Sequence, residues 1–136
     1  MTHPILSLQA VLLAALAADG PLAALIDSEL IFDAPPAQGQ PPYVAIARHD
    51  VLPRDGDAAP GWEHRIVLHA WAAEASRKAV LGIADRLVAV ALEADLDDAL
   101  VVTHRRHERT DTAIDRTTGF ARAAVALTFF TEPTEI

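Results

Sequence analysis

His104-Arg105-Arg106-His107-Glu108-Arg109 gathers more imidazole and acid–base groups than any other stretch of this 136-residue chain. Two imidazoles and a carboxylate can hold a divalent cation when they share a face, which on a helix takes a spacing of four. Here the imidazoles are three apart. The surrounding residues 100–109 read as a strand, where positions three apart face opposite sides. The same test applies to His64 and His69, five apart on another strand: one is expected at the surface and the other packed beside Trp71. A solvated or interface strand is the reading for 104–109. A small His-dependent metalloenzyme built on His64, His69, His104 and His107 is kept as a rival.

Other chemistries lack their residues. Ser occurs only at 7, 28 and 76, at helix caps or starts, and no GxSxG is present. The glycines (20, 39, 56, 61, 82, 119) form neither GxGxxG nor GxxxxGK, so no phosphate cradle is written in the chain. Asp95, Asp97 and Asp98 cluster without EF-hand spacing and read as a solvated turn. With no Cys, thiol catalysis, disulfide scaffolds and Cys-ligated metals are excluded. No catalytic set, cofactor site or metal site is expected.

Charge narrows the partners. The net charge is −8, from 11 Lys and Arg against 19 Asp and Glu. Residues 1–50 hold five acids and a single base, Arg48; residues 51–100 hold nine acids and five bases; the remainder balances at five and five. Phosphate binding needs clustered Lys and Arg, so a nucleic-acid surface is not expected. Half the residues are hydrophobic, which argues against disorder. A chain of this length buries roughly 68% of its unfolded surface and suits one domain, residues 1–136.

The elements that position these groups follow from periodicity. Leu8, Val11, Leu12, Ala15 and Leu16 form a helical stripe with Ser7 as the expected N-cap. The run from Leu6 to Ala18 looks like a signal-peptide core, but no Lys or Arg precedes it, and it is too short to span a bilayer. A soluble helix, hence a cytoplasmic protein without a membrane anchor, is the expectation; a secreted protein with a cleaved signal is the rival. Pro21 suits the first turn of a short helix over 22–26. A short strand over 29–32 and a Pro-rich loop follow. Strands are expected over 43–50 (Tyr43, Ala45 and Ala47 opposite Val44, Ile46 and Arg48) and over 62–71 (Ile66, Leu68 and Ala70 opposite Arg65, Val67, His69 and Trp71). A long helix over 75–94 carries Val80, Ile83, Ala84, Leu87, Ala91 and Ala94 at helical spacing. Strands over 100–109 and 120–131 complete an order α-β-β-β-α-β-β. Hairpin-connected runs of strands imply an α+β fold, an antiparallel sheet with two helices packed on one face. Two polar loops, 52–61 and 110–119, are long for so small a sheet. They read either as tolerated surface decoration or as hairpin arms that touch neighbouring chains, with Arg54, Asp55, Asp57, Asp111, Asp115 and Arg116 as the charged contacts of the second reading.

The succession SLQAVLLAALAAD-GPLAALI, ELIFDAPP, PPYVAIARH, HRIVLHAWA before a long helix, and a closing GFARAAVALTF resembles the tail-completion, or tail-terminator, family of long-tailed phages and phage-like gene transfer agents. The match spans about residues 5–131. Its most telling positions are Pro41-Pro42-Tyr43-Val44 and Ala70-Trp71-Ala72 ahead of the helix. The resemblance implies a structural protein and no enzyme. It implies a ring, commonly a hexamer, that caps the head-proximal end of a tail tube, ends tube growth and joins tail to head. Its partners would be copies of itself, the tube protein and a head–tail connector. Its location would be the bacterial cytoplasm during assembly and then the phage-like particle. DNA would pass through the lumen without specific binding, and Asp55, Asp57, Asp111 and Asp115 would line that lumen or an axial docking face, since acids repel phosphate. A head-side connector or stopper is the alternative within the same class.

Overall fold

A computed structural model describes residues 2–37, 39–55 and 60–134. Helix α1 (Pro4–Ala18) and the one-turn α2 (Gly20–Ala23) lead through a short 3-10 turn (Ser28–Leu30) into strand β1 (Ile31–Phe32). Strands β2 (Tyr43–Pro53) and β3 (Trp62–Ala72), helix α3 (Arg77–Glu93), and strands β4 (Leu100–Ile114) and β5 (Ala121–Pro133) follow. The α+β class holds, and the sheet is mixed rather than purely antiparallel. Its order is β1-β2-β3-β5-β4, and β1 pairs in parallel with β2 through Ile31 opposite Val44 and Phe32 opposite Ala45. The Pro-rich stretch after β1 is long enough to cross over instead of turning back as a hairpin, which is what makes that one pair parallel.

One face of the sheet makes the core. Ile66, Leu68 and Ala70 of β3 and Ala123, Val125, Leu127 and Phe129 of β5 point the same way and are fully buried. They meet Leu8, Leu12 and Leu16 of α1 and Val80, Ile83, Ala84, Leu87, Val90 and Ala91 of α3 in one cluster. Most of the expected helical stripe is buried, with Val11, Ala15 and Ala94 only partly so and Val90 added to it. The start of α1 differs from expectation. Pro4, with its fixed φ, occupies the first turn, and the His3 ring accepts the Ile5 amide hydrogen at 3.1 Å, so the helix begins ahead of Ser7. Ser76 caps α3 as its residue type suggests, its hydroxyl accepting from the Ala79 amide.

Two side chains tie the helices down. Asp19 caps α2 and also receives a two-pronged contact from Arg86 of α3, with Nε and Nη2 each 2.8 Å from one carboxylate oxygen. This planar fork holds the Asp19 carboxyl below its usual pKa. Arg105 of β4 turns inward and donates to the carbonyls of Ala91 and Ala94, the orphan acceptors at the C-terminus of α3.

Both arms that the sequence suggests are shorter than expected, because the strands run into them. The 110–119 segment is strand as far as Ile114, with Thr110 to Ile114 paired to Val125 to Ala121. Only a tight turn remains: Asp115 accepts the Thr117 amide hydrogen, and Gly119 takes φ +76°, a conformation that favours glycine. At the other hairpin β2 extends to Pro53, and the Arg54 amide donates to the Gly61 carbonyl. A Cβ on Gly61 would lie 2.8 Å from the Arg54 carbonyl oxygen, so a side chain there displaces the turn. Asp57 lies outside the described residues.

Leu68→Ala should lower stability by about 2–5 kcal/mol, since the site is enclosed on every side and collapses poorly. Urea denaturation followed by circular dichroism measures the shift in midpoint; Leu52→Ala, at an exposed strand end, should leave it nearly unmoved.

Candidate functional site: the open face of the sheet

The face of the sheet away from the helices is covered by no described element. Alternation along β3 and β5 places Glu63, Arg65, Val67, His69 and Trp71 there, beside Arg122, Ala124, Ala126, Thr128 and Phe130. On β2 a bulge between Ile46 and Arg48 changes the outcome. Ala47 is the extra residue, so His49 and not Arg48 follows Val44 and Ile46 toward the core. The expected Val44–Ile46–Arg48 face is thereby corrected: Arg48 and Asp50 join the open face.

The result is a field of crossed ion pairs. Arg48 meets Asp50 at 2.8 Å, Arg65 and Arg54 meet Glu63 at 2.9 and 3.3 Å, and Arg106 meets Glu108 at 2.8 Å. Arg122 and Arg109 approach Asp111 at 3.3 and 3.7 Å. Hydrogen bonds from Arg65 and Arg54 hold the Glu63 carboxyl below its usual pKa, as those from Arg106 and the Thr128 hydroxyl do for Glu108. Between the pairs lies a shallow depression of about 680 Å³ floored by Val67, Ala126 and Phe130. Arg54 stacks over the Phe130 ring, 4.2 Å from its centroid. At the far end Phe32, Tyr43 and Trp71 pack ring to ring, 6.1 and 6.4 Å between centroids. Beside Trp71, the Nε of Arg122 is buried without a hydrogen-bond partner. A donor stranded in this way wants an acceptor.

The six residues singled out as contacts do not form one site. Trp62 pairs with Thr131 and Ala72 with Ala121, so the β2–β3 and β4–β5 hairpins sit at opposite ends of β3. At strand rise, ten rungs separate them by roughly 33 Å. Arg54 and Asp55 belong to one end; Asp111, Asp115 and Arg116 belong to the other. Asp111 lies on a strand and is engaged by arginines, Asp115 holds its turn, and Arg116 is exposed.

The histidines separate as well. His104 lies opposite Phe130 on the open face and tilts over that ring; His107 sits at the Leu127 rung and contacts the Thr110 hydroxyl. His69 lies on the open face, its pKa lowered chiefly by burial. His64 is the correction: it is wholly buried, on the core side. With the Gln9 amide nitrogen turned toward it, His49 accepts at Nδ1 (3.1 Å) and donates from Nε2 to His64 Nδ1 (2.9 Å). His64 Nε2 then donates to the Thr131 hydroxyl at 2.9 Å. This chain of donors runs from α1 through the sheet and requires both rings neutral. The alternation of β3 does put His64 on the Ile66 side, but His49 arrives only through the bulge, which sequence periodicity does not reveal. Among the described residues no three His, Asp or Glu side chains converge as metal ligands. No helix there is long and apolar enough to cross a membrane.

In class, this is a one-sided α+β fold whose function must be sought on an open sheet face and two opposed hairpins. The chain belongs to the family of tail completion protein gp17, whose model matches residues 10–132. Its fold is similar to that of a chain in the virion of a native gene transfer agent (GTA) particle, at 22% identity and a TM-score of 0.82, over 96% of this chain and 99% of that one. No curated protein matches it.

Burial lowers the pKa of both His49 and His64 from 6.5 to about 4. The unfolded chain therefore takes up these protons first. The stability they contribute should be complete above pH 6.5 and be lost as the pH falls through about 4. Imidazole NMR signals for these two rings that titrate near 6.5 in the folded protein would contradict this reading.

Proposed function

We propose that the protein is a structural component of a phage-like tail that assembles as a ring, a hexamer, on the head-proximal end of the tail tube. There it ends tube growth and joins tail to head, without catalysis or a cofactor. The chain acts as one domain. It is made and assembled in the bacterial cytoplasm and ends in the particle, its partners being copies of itself, the tube protein and the connector. Membership of the tail completion family carries the reading. The fold of a gene transfer agent virion chain supports it, matching nearly end to end.

The geometry suits such a ring. Two hairpins at opposite ends of the sheet supply one contact for each axial neighbour, the tube on one side and the head connector on the other. A terminator needs both, whereas a head-side stopper, the alternative within this class, meets no tube. The four histidines of the metalloenzyme rival do not converge among the described residues. His64 is sealed in the core, His69 and His104 share the open face six rungs apart, and His107 lies at a core-side rung. Six rungs are roughly 20 Å, far beyond a shared ligand sphere.

In particles produced without this chain, electron microscopy should show tails of irregular length unattached to heads. Tails of normal length joined to capsids would end the proposal. The lumen-or-docking role of the acids is tested in two halves, because the halves sit apart. Asp55→Lys with Asp57→Lys, and Asp111→Lys with Asp115→Lys, should each impair a different step, either attachment at one axial face or passage of DNA. Unchanged assembly and DNA delivery in both would remove the acids from any such role.

A further inference from the structure

The two sides of this molecule are complements of each other. The open face carries Arg48, Arg54, Arg65, Arg106, Arg109 and Arg122, six of the 11 basic residues in a chain of net charge −8. Asp50, Glu63, Glu108, Asp111 and Glu132 offset them only in part. The helical side is the reverse. Residues 1–42 and 73–99, which make the helices and their connections, hold ten carboxylates against Arg77, Lys78 and Arg86.

The apolar surface divides in the same way. Helix α1 has no charged residue anywhere along its 15 positions. Its buried side is Leu8, Leu12 and Leu16; its outward side is Leu6, Ala10, Ala14 and Ala17, and Leu6 is 58% exposed. A helix apolar all round is characteristically covered on all sides. Beside it Leu25 is 50% exposed. The helical side thus offers an apolar strip on a layer that is acidic in sum. The sheet side offers an apolar floor, Val67 and Ala126, within a surround of six arginines and five carboxylates, together with the unpartnered Arg122 Nε.

We propose that the open sheet face of one copy receives the α1 side of the next copy, arginines against carboxylates and apolar strip against apolar floor. This deepens the ring reading, on which it rests, by naming the two surfaces. The occupant is a second copy because both halves of the match lie on one chain. The contact is head-to-tail because helix against helix would oppose acids to acids, and the sheet face, with six arginines against five carboxylates, draws an acidic surface but gains nothing from a second sheet face. A head-to-tail contact is the kind that closes into rings. Strand addition at the sheet edge is a poorer route. The free edge strand β4 is broken by bulges at Val102/His104 and His107/Arg109 and studded with Arg106, Glu108 and Arg109, devices that discourage pairing.

The absence of native Cys makes the test direct. Val67→Cys and Ala14→Cys lie on opposite sides of the sheet layer, so one molecule cannot join its own pair. Particles assembled with the double variant and treated with a short bismaleimide should yield a ladder of covalent multimers of this chain, and each single variant should yield none. A dimer from Val67→Cys alone means sheet-to-sheet packing; one from Ala14→Cys alone means helix-to-helix packing. Either dimer, or a double variant without a ladder, overturns the proposal. As a second readout, Arg65→Gln with Arg106→Gln, both exposed and with folding verified by circular dichroism, should cut incorporation into particles about tenfold. Unchanged incorporation also overturns it. If the chain is absent from completed particles, the ring reading itself fails. If it is present there without a ladder, only these surfaces do.

Discussion

A five-stranded sheet with only one dry face governs most of what this protein is. Helices α1 and α3 bury the Ile66–Leu68–Ala70 and Ala123–Phe129 side of the sheet, and no described element covers the other. Burial of apolar area on that single face supplies the cohesion, at roughly 25 cal/mol for each Å² removed from water. The uncovered face contributes little to stability, because its ion pairs are exposed and individually weak. It is free to be shaped for association. The same asymmetry forces the charge division, since arginines that would be ruinous in the core are cheap on a wet sheet.

Polar groups enter the core where the chain needs orientation as well as cohesion. The Gln9–His49–His64–Thr131 chain spans α1, β2, β3 and β5, and its hydrogen bonds have direction, which packed leucines do not. It therefore sets where α1 sits along the sheet. Arg86 on Asp19 and Arg105 on the end of α3 do similar work from the rim. The placement of α1 matters beyond the fold, because the outward strip of that helix is the surface offered to a neighbour.

The family assignment and the physical reading agree on a structural tail protein and diverge in what they locate. Membership of the tail completion family speaks to role. The structure speaks to surfaces: hairpins at opposite ends of the sheet, an arginine-bearing face, an apolar helix on a layer acidic in sum. In a protein that works by fitting, surfaces take the place that an active site holds in an enzyme.

Much of the fold was legible in the residues. The stripe Leu8–Leu12–Leu16, the alternation from Ile66 to Ala70 and the repeat through Val80, Leu87 and Ala91 each reflect a period, 3.6 or 2, that a chain of local contacts imposes. The surfaces were not legible, because they depend on which strands become neighbours. Arg48 changed faces through one extra residue at Ala47. Asp111 left a supposed loop because β5 was there to pair with it. His49 and His64, 15 residues apart, met only in the register of β2 on β3. Periodicity decides which side of an element is apolar; only the packed sheet decides what stands beside it, because strand partners are chosen by contacts far apart along the chain.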